Sequence, residues 1–205
     1  MPIAIDFLHG DVPLDIVSLA QNVGVVAIDT ETSGLDYWHD KIATCQLFVP
    51  GGPACVVRVH NSPGENLVGL LENETIKKIF HHAVFDVSFI RAQWNVDVAN
   101  TSCTKIASKV LNPTDSEHSL KKLLSAHLGV EINKTLRMSD WLSKTLTPEQ
   151  IEYAAADVVH LPALLDVLQR KITQAGQQEL LESSFSFIRE YVKFSLRGGK
   201  DLFGY

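Results

Sequence analysis

The chain has 205 residues, enough for one compact domain that buries roughly 70% of its unfolded surface and too few for a second large one. Eighteen Lys and Arg stand against 24 Asp and Glu, a formal net charge of −6, which excludes a polybasic nucleic-acid coat or a protein held by charge to a membrane surface. No apolar run reaches the roughly eighteen residues of a membrane span, the Met1-Pro2-Ile3-Ala4-Ile5-Asp6 start lacks the features of a secretion signal, and Cys45, Cys55 and Cys103 form no C-x-x-C unit, so we expect a cytoplasmic protein with reduced thiols and no zinc site.

In chain order, Gly24 to Asp29 is a β-branched run suited to a central strand buried on both faces, with its first charge at its end. Ile42 to Val49 predicts a second strand, stopped by Pro50-Gly51-Gly52-Pro53, and Ala54 to Val59 returns as the other arm of a hairpin. Glu65 to Leu71 reads as a short amphipathic helix and Lys77 to Phe80 as a short strand. His81 and His82 are taken as its continuation, facing opposite ways by alternation. Val84 to Trp94 predicts a helix with Phe85, Phe89 and Ile90 on one side.

The second half has helical spacing: Thr104 to Val110, Leu120 to His127, and a long run from Pro148 to Thr173 with Thr147 as N-cap and Pro148 at the first helical position. Pro162 should kink or divide that run. A last helix runs from Gln177 to about Phe194, before Gly198-Gly199. With no repeat or linker signal, the expectation is one α/β domain over residues 1–205 around a mixed sheet, with 177–205 a C-terminal helix and an aromatic tail of Phe187, Tyr191, Phe194, Phe203 and Tyr205.

The chemistry lies in the acids at element ends. Asp29-Thr30-Glu31 closes the most hydrophobic strand, and alternation puts both carboxylates on one face, where they repel unless a cation lies between them. Asp86 is embedded in an apolar helix after a short strand; alone, it also fits a helix-start carboxylate favoured by the helix dipole. In Tyr153-Ala154-Ala155-Ala156-Asp157 the phenol and the carboxylate share a helical face, and the alanines allow close packing. Taken alone, this pair also fits a satisfied core contact.

In the order D-x-E, D, Y-x-x-x-D on strand, helix and helix, the sequence resembles the DEDD exonuclease superfamily in its tyrosine-bearing branch, typified by ribonuclease D. The densest match runs from Ser139-Asp140-Trp141-Leu142 through Leu146-Thr147 to Glu152-Tyr153-Ala154-Ala155-Ala156-Asp157-Val158. Cys103-Thr104-Lys105-Ile106-Ala107-Ser108-Lys109, the lack of a C-terminal helical domain and the ending Asp201-Leu202-Phe203-Gly204-Tyr205 resemble nanoRNase C, a compact relative that degrades very short RNA as a ring-shaped homo-oligomer. The ending departs from that pattern by carrying Tyr205 where those relatives have Trp. The loop Leu111 to His118 is more acidic than a phosphate-gripping loop should be.

The resemblance implies a ribonuclease H-like exonuclease fold, a mixed central sheet flanked by helices. It also implies 3′-5′ hydrolysis of RNA or short oligoribonucleotides to nucleoside 5′-monophosphates with two Mg²⁺ or Mn²⁺ ions. Such hard cations call for oxygen ligands. By the family pattern Asp29, Glu31 and Asp157 hold the ion that activates water, Asp29 and Asp86 hold the ion near the leaving group, and Tyr153 orients the water. Substrate contacts are expected at Thr30, Thr32, Gly34, Leu35, His81 and Phe85, the 32–34 turn bringing backbone near the terminal nucleotide. Trp38 is either a base-stacking platform or a core or interface residue, and Trp141 is expected to serve packing. Arg189, Lys193 and Arg197 line one helix face, more readily a solvated face or subunit contact than a phosphate site. Two alternatives stay open: the same chemistry on single- or double-stranded DNA, and a catalytically silent binding or assembly module.

Overall fold

The computed structural model describes residues 3–60, 62–132, 136, 139–199 and 201–203; Tyr205 of the expected tail lies outside them. Among the described residues, strands β1 (Ile5–His9), β2 (Val25–Thr32), β3 (Ile42–Phe48), β4 (Ala54–Arg58), β5 (Lys77–Phe80) and β6 (Thr101–Cys103) form one mixed sheet in the order β1-β4-β3-β2-β5-β6. β3 is antiparallel to β2 and β4, while β1 pairs parallel with β4 and β5 pairs parallel with β2 and β6. The helices are α1 (Leu14–Val23), α2 (Glu65–Glu72), α3 (Ala83–Trp94), α4 (Thr104–Leu111), α5 (Leu120–Leu128), α6 (Pro148–Val159), α7 (Leu161–Gln174) and α8 (Gln178–Leu196). The expected mixed sheet flanked by helices is therefore present.

Alternation along the buried centre of β2 builds two separate cores. Val26 and Ile28 face one layer, with Cys45, Leu47 and Val57 of the neighbouring strands and side chains from α1, α2 and α3. Ala27 faces the other, with Phe48, Val56 and Ile79 against α5, α6 and α7. Helix α8 serves both: Leu181 joins the second core, Ile188 and Val192 the first. It packs along edge strand β6 and so covers that end of the sheet.

The long helical run divides as its proline requires. α6 ends at Val159 and α7 starts at Leu161, with Pro162 in its first turn, where a missing N–H costs nothing. At the other end of α6, Thr147 and Gln150 form a reciprocal capping box.

Three elements had not been anticipated. β1 is an edge strand, largely exposed, so it lacks the apolar alternation that marks a strand. β6 has three residues, too few for a periodic signal. α1 ends at Gly24 in the left-handed region, φ 75°, its N–H bonded to the carbonyl of Ala20. The strand begins at Val25 rather than Gly24 for that reason. His81 and His82 also depart from expectation. β5 stops at Phe80 and His82 is the N-cap of α3, so strand alternation does not govern them.

A long-range cap anchors α2. The Asp11 carboxylate accepts from the backbone N–H groups of Asn66 (3.0 Å) and Leu67 (2.8 Å), and a Cβ on Gly64 would stand 2.0 Å from the Asp11 Cγ. Asp11→Ala is expected to lower unfolding free energy by about 1–2 kcal/mol in urea titration, the usual cost of a lost helix cap.

Candidate active site

The parallel ladder between β2 and β5 ends at the pair Ala27 and Ile79, while β2 continues to Thr32. Beyond that point one side of β2 is open, and the first turn of α3 moves into the gap. The Asp86 carboxylate, 3% exposed, accepts both donors of Thr30 through one oxygen, Oδ1: the backbone N–H at 3.0 Å and the hydroxyl at 2.7 Å. Thr30 is thereby committed to Asp86. With Thr30 aimed at one layer, alternation turns Asp29 and Glu31 toward the other, where α6 crosses the sheet.

α6 presents Tyr153 and Asp157 there, both buried, on the face carried by the fully packed Ala154 and Ala155. Carboxylate oxygens of Asp29, Glu31 and Asp157 all lie within 4.8 Å of one another. Ligands of one small octahedral cation stand about 3–4 Å apart, so a modest contraction would let a single ion touch all three. The donor set is oxygen only, which suits Mg²⁺ or Mn²⁺ and not zinc. Asp86 lies outside this triad but is felt by it. Burial pushes its carboxyl up to about 7, partly offset by the two Thr30 hydrogen bonds, and the negative charge of Asp157 adds to the rise.

Beyond Glu31 the ladder with β3 slips by one residue, so that Glu31 faces Thr44 and Thr32 faces Ile42. The chain then enters a loop over 33–41 that is held almost entirely by its own polar groups. Asp40 accepts from the Ser33 hydroxyl and the Asp36 N–H; Asp36 accepts from the Trp38 N–H and bonds the His39 ring at 2.8 Å. Gln93 of α3 donates to the Asp40 carbonyl and accepts from the Ile42 N–H. The backbone of Gly34 is not in the left-handed region; its missing Cβ leaves room for the Asp40 carboxylate, which a Cβ would meet at 2.3 Å and push aside. The Thr32 hydroxyl donates to the Gly34 carbonyl at 2.6 Å. On this framed loop Leu35 is 77% and Trp38 59% exposed.

Of the other residues expected to contact substrate, His81 and Phe85 are held by partners at the start of α3 and α4. The His81 Nδ1 bonds the Thr104 hydroxyl at 2.9 Å, and the His81 carbonyl accepts from the Cys103 thiol. Phe85 stacks on His82 and lies tilted against Phe89. Trp141, buried as expected, lies against Tyr153 with ring centroids 5.8 Å apart. Arg189 is paired with Asp97 and Lys193 with Glu190, so two of the three cations of that stripe have acidic partners.

Sequence reading missed Gln46, Thr44 and Arg58. In register, Gln46 lies opposite Asp29, Thr44 opposite Glu31 and Arg58 opposite Thr44, all on the α6 side of the sheet and all buried. Two polar residues at alternate positions of an otherwise apolar strand were a usable signal; which acids they face depends on register.

A family model described as 3′-5′ exonuclease matches residues 10–173. The solved structure of Brucella melitensis NrnC bound to pGG is 34% identical with a TM-score of 0.91, covering 100% of both chains. The same protein with bound Mg²⁺ is 34% identical with a TM-score of 0.91, covering 99% of this chain and 100% of that one. Ribonuclease D of Haemophilus influenzae is 25% identical over 175 residues, 85% of this chain and 44% of the relative. The chain thus spans less than half the length of that curated relative.

Asp86 gives the site a pH signature without metal. From its ordinary value of 3.8 up to about 7, the folded chain retains a proton that the unfolded chain has released, so this group's contribution to stability falls as pH rises through that window. In EDTA, Asp86→Asn is expected to flatten the decline of Tm between about pH 4 and 7; an identical slope in both proteins would remove Asp86 as its source.

Proposed function

Because the chain belongs to the 3′-5′ exonuclease family, we propose that it hydrolyses RNA or short oligoribonucleotides from the 3′ end, releasing nucleoside 5′-monophosphates. The observation that carries this reading is the convergence of Asp29, Glu31 and Asp157 from a strand and a helix, with Asp86 locked to the same strand from beneath. The pGG and Mg²⁺ bound to the Brucella relative support a short oligonucleotide and a divalent cation as its ligands.

In this reading Asp29, Glu31 and Asp157 would hold one cation and Asp29 with Asp86 would hold a second, Mg²⁺ or Mn²⁺. Such ions, when bound, neutralise the phosphoryl oxygens, acidify a water and stabilise the departing 3′ oxygen. Tyr153, one turn before Asp157 and backed by Trp141, holds the attacking water in line. Leu35 and Trp38 offer apolar faces to bases. His81 and Phe85 would contact the substrate, and the 32–34 turn would approach the terminal sugar. Thr30 acts through Asp86. The three buried free thiols support a reducing, cytoplasmic setting. Exposed Phe187, Leu202 and Phe203, on the C-terminal helix and the tail after it, support a homo-oligomer. Among the described residues no helix is long and apolar enough to cross a membrane.

A time course on 5′-labelled RNA and DNA of two to about twenty nucleotides, with Mg²⁺ or Mn²⁺, tests activity, polarity, sugar and length together. RNA ladders shortened one nucleotide at a time from the 3′ end are expected. Asp29→Asn and Asp157→Asn should each cost at least about 100-fold in kcat, and a variant as fast as the parent would refute the metal mechanism. In EDTA the clustered acids repel phosphate, so a non-hydrolysable oligonucleotide should bind at least about 10-fold more weakly than with Mg²⁺; equal affinity would contradict this account.

A further inference from the structure

The polar side chains on the α6 side of the sheet continue past the carboxylates to Arg58. Glu31, Thr44 and Arg58 stand in register across β2, β3 and β4, which places Arg58 about 10 Å from Glu31 by strand spacing. It is 9% exposed, a costly position for a cation unless its donors are well placed. Two of them go to main-chain carbonyls of the segment leading into α6: Nη1 donates to Trp141 at 2.7 Å and Nη2 to Ser143 at 2.8 Å. Gln150 of the α6 cap adds a weaker bond to the neighbouring Asp140 carbonyl at 3.4 Å.

A planar guanidinium that spans two carbonyls sets the orientation of the segment as well as its distance, which a single-point cation does not. The Trp141 side chain links that segment to the site. The Trp141 indole, 2% exposed, packs on the Tyr153 ring with the planes inclined by 40°. Residue 58 therefore reaches the phenol through one backbone anchor and one ring contact.

We propose that Arg58 is a positioning residue for Tyr153, fixing through Trp141 where the phenol oxygen stands relative to Asp157. The inference rests on the role given to Tyr153 above and extends it: orientation of that phenol is set from β4, by a residue outside the acid cluster. Displacing a reacting group by about 1 Å costs on the order of 100-fold in rate, so a loosened Trp141 should register in kcat.

Rates on a short 5′-labelled oligoribonucleotide with Mg²⁺ would be compared for the parent, Arg58→Met, Arg58→Lys, Tyr153→Phe and the Arg58→Met/Tyr153→Phe double variant. Metal-free emission of Trp141 would be read in a Trp38→Phe/Trp94→Phe background. Arg58→Met is expected to lower kcat about 10- to 100-fold with KM within about 2-fold, and to cost less than about 2-fold more once Tyr153 is Phe. Its Trp141 emission should shift, and Arg58→Lys, which cannot bridge both carbonyls, should recover only part of the rate. Parent-like kcat in Arg58→Met, or an equal loss with and without the Tyr153 hydroxyl, would overturn the proposal. Should Arg58→Met fail to fold, Trp141→Phe carries the same non-additivity test against Tyr153→Phe. A Tyr153→Phe enzyme as fast as the parent would refute the role of Tyr153, a separate failure; in that case the inference falls with it.

Discussion

The early end of the β2 and β5 pairing is the constraint on which the site depends. A strand that kept its partner to Thr32 would leave no room for α3 to approach, and the amide of Thr30 would belong to the ladder. Because pairing stops at Ala27, that amide needs an acceptor, and Asp86 supplies it with the same oxygen that takes the Thr30 hydroxyl. One hydrogen-bonded pair thus ties a helix of the first layer to the strand whose next residues face the second. Asp29, Glu31 and Asp157 meet on the opposite side of that seam. The opening lies where ligands of α/β sheets generally bind, at the carboxyl end of a strand where its neighbour diverges.

This arrangement is electrostatically costly in the absence of a counter-ion. Three carboxylates converge within 4.8 Å, and the fourth is buried deeply enough that its proton is held toward neutrality. Stability has been given up locally for a site complementary to positive charge. The net charge of −6 is then partly a property of the site rather than of the surface.

Much of this was readable before any coordinates. Hydrophobic run length located β2, the spacing of Tyr153 and Asp157 put both on one helical face, and Pro162 divided α6 from α7. Those are local rules, complete within a few residues. What escaped depended on pairing. β6 has no pattern of its own and exists because β5 lies beside it. Gln46, Thr44 and Arg58 acquire meaning only through the register that sets them against Asp29 and Glu31. His81 and His82 were assigned to a strand because nothing local shows that Phe80 is its last paired residue. That Gly34 lies against the Asp40 carboxylate is likewise set by how the loop closes and not by any local pattern.

The loop over 33–41 has a further thermodynamic meaning. Its donors and acceptors are largely satisfied from within and by Gln93, so the backbone that carries its exposed apolar tips is already hydrogen-bonded. Closing a flexible loop around a ligand would consume roughly 1–2 kcal/mol of backbone entropy per ordered residue. A prefolded rim spares every ligand that uses it the same ordering cost, and that saving is the largest share of the total where the ligand makes few contacts, through rigidity rather than through any added contact.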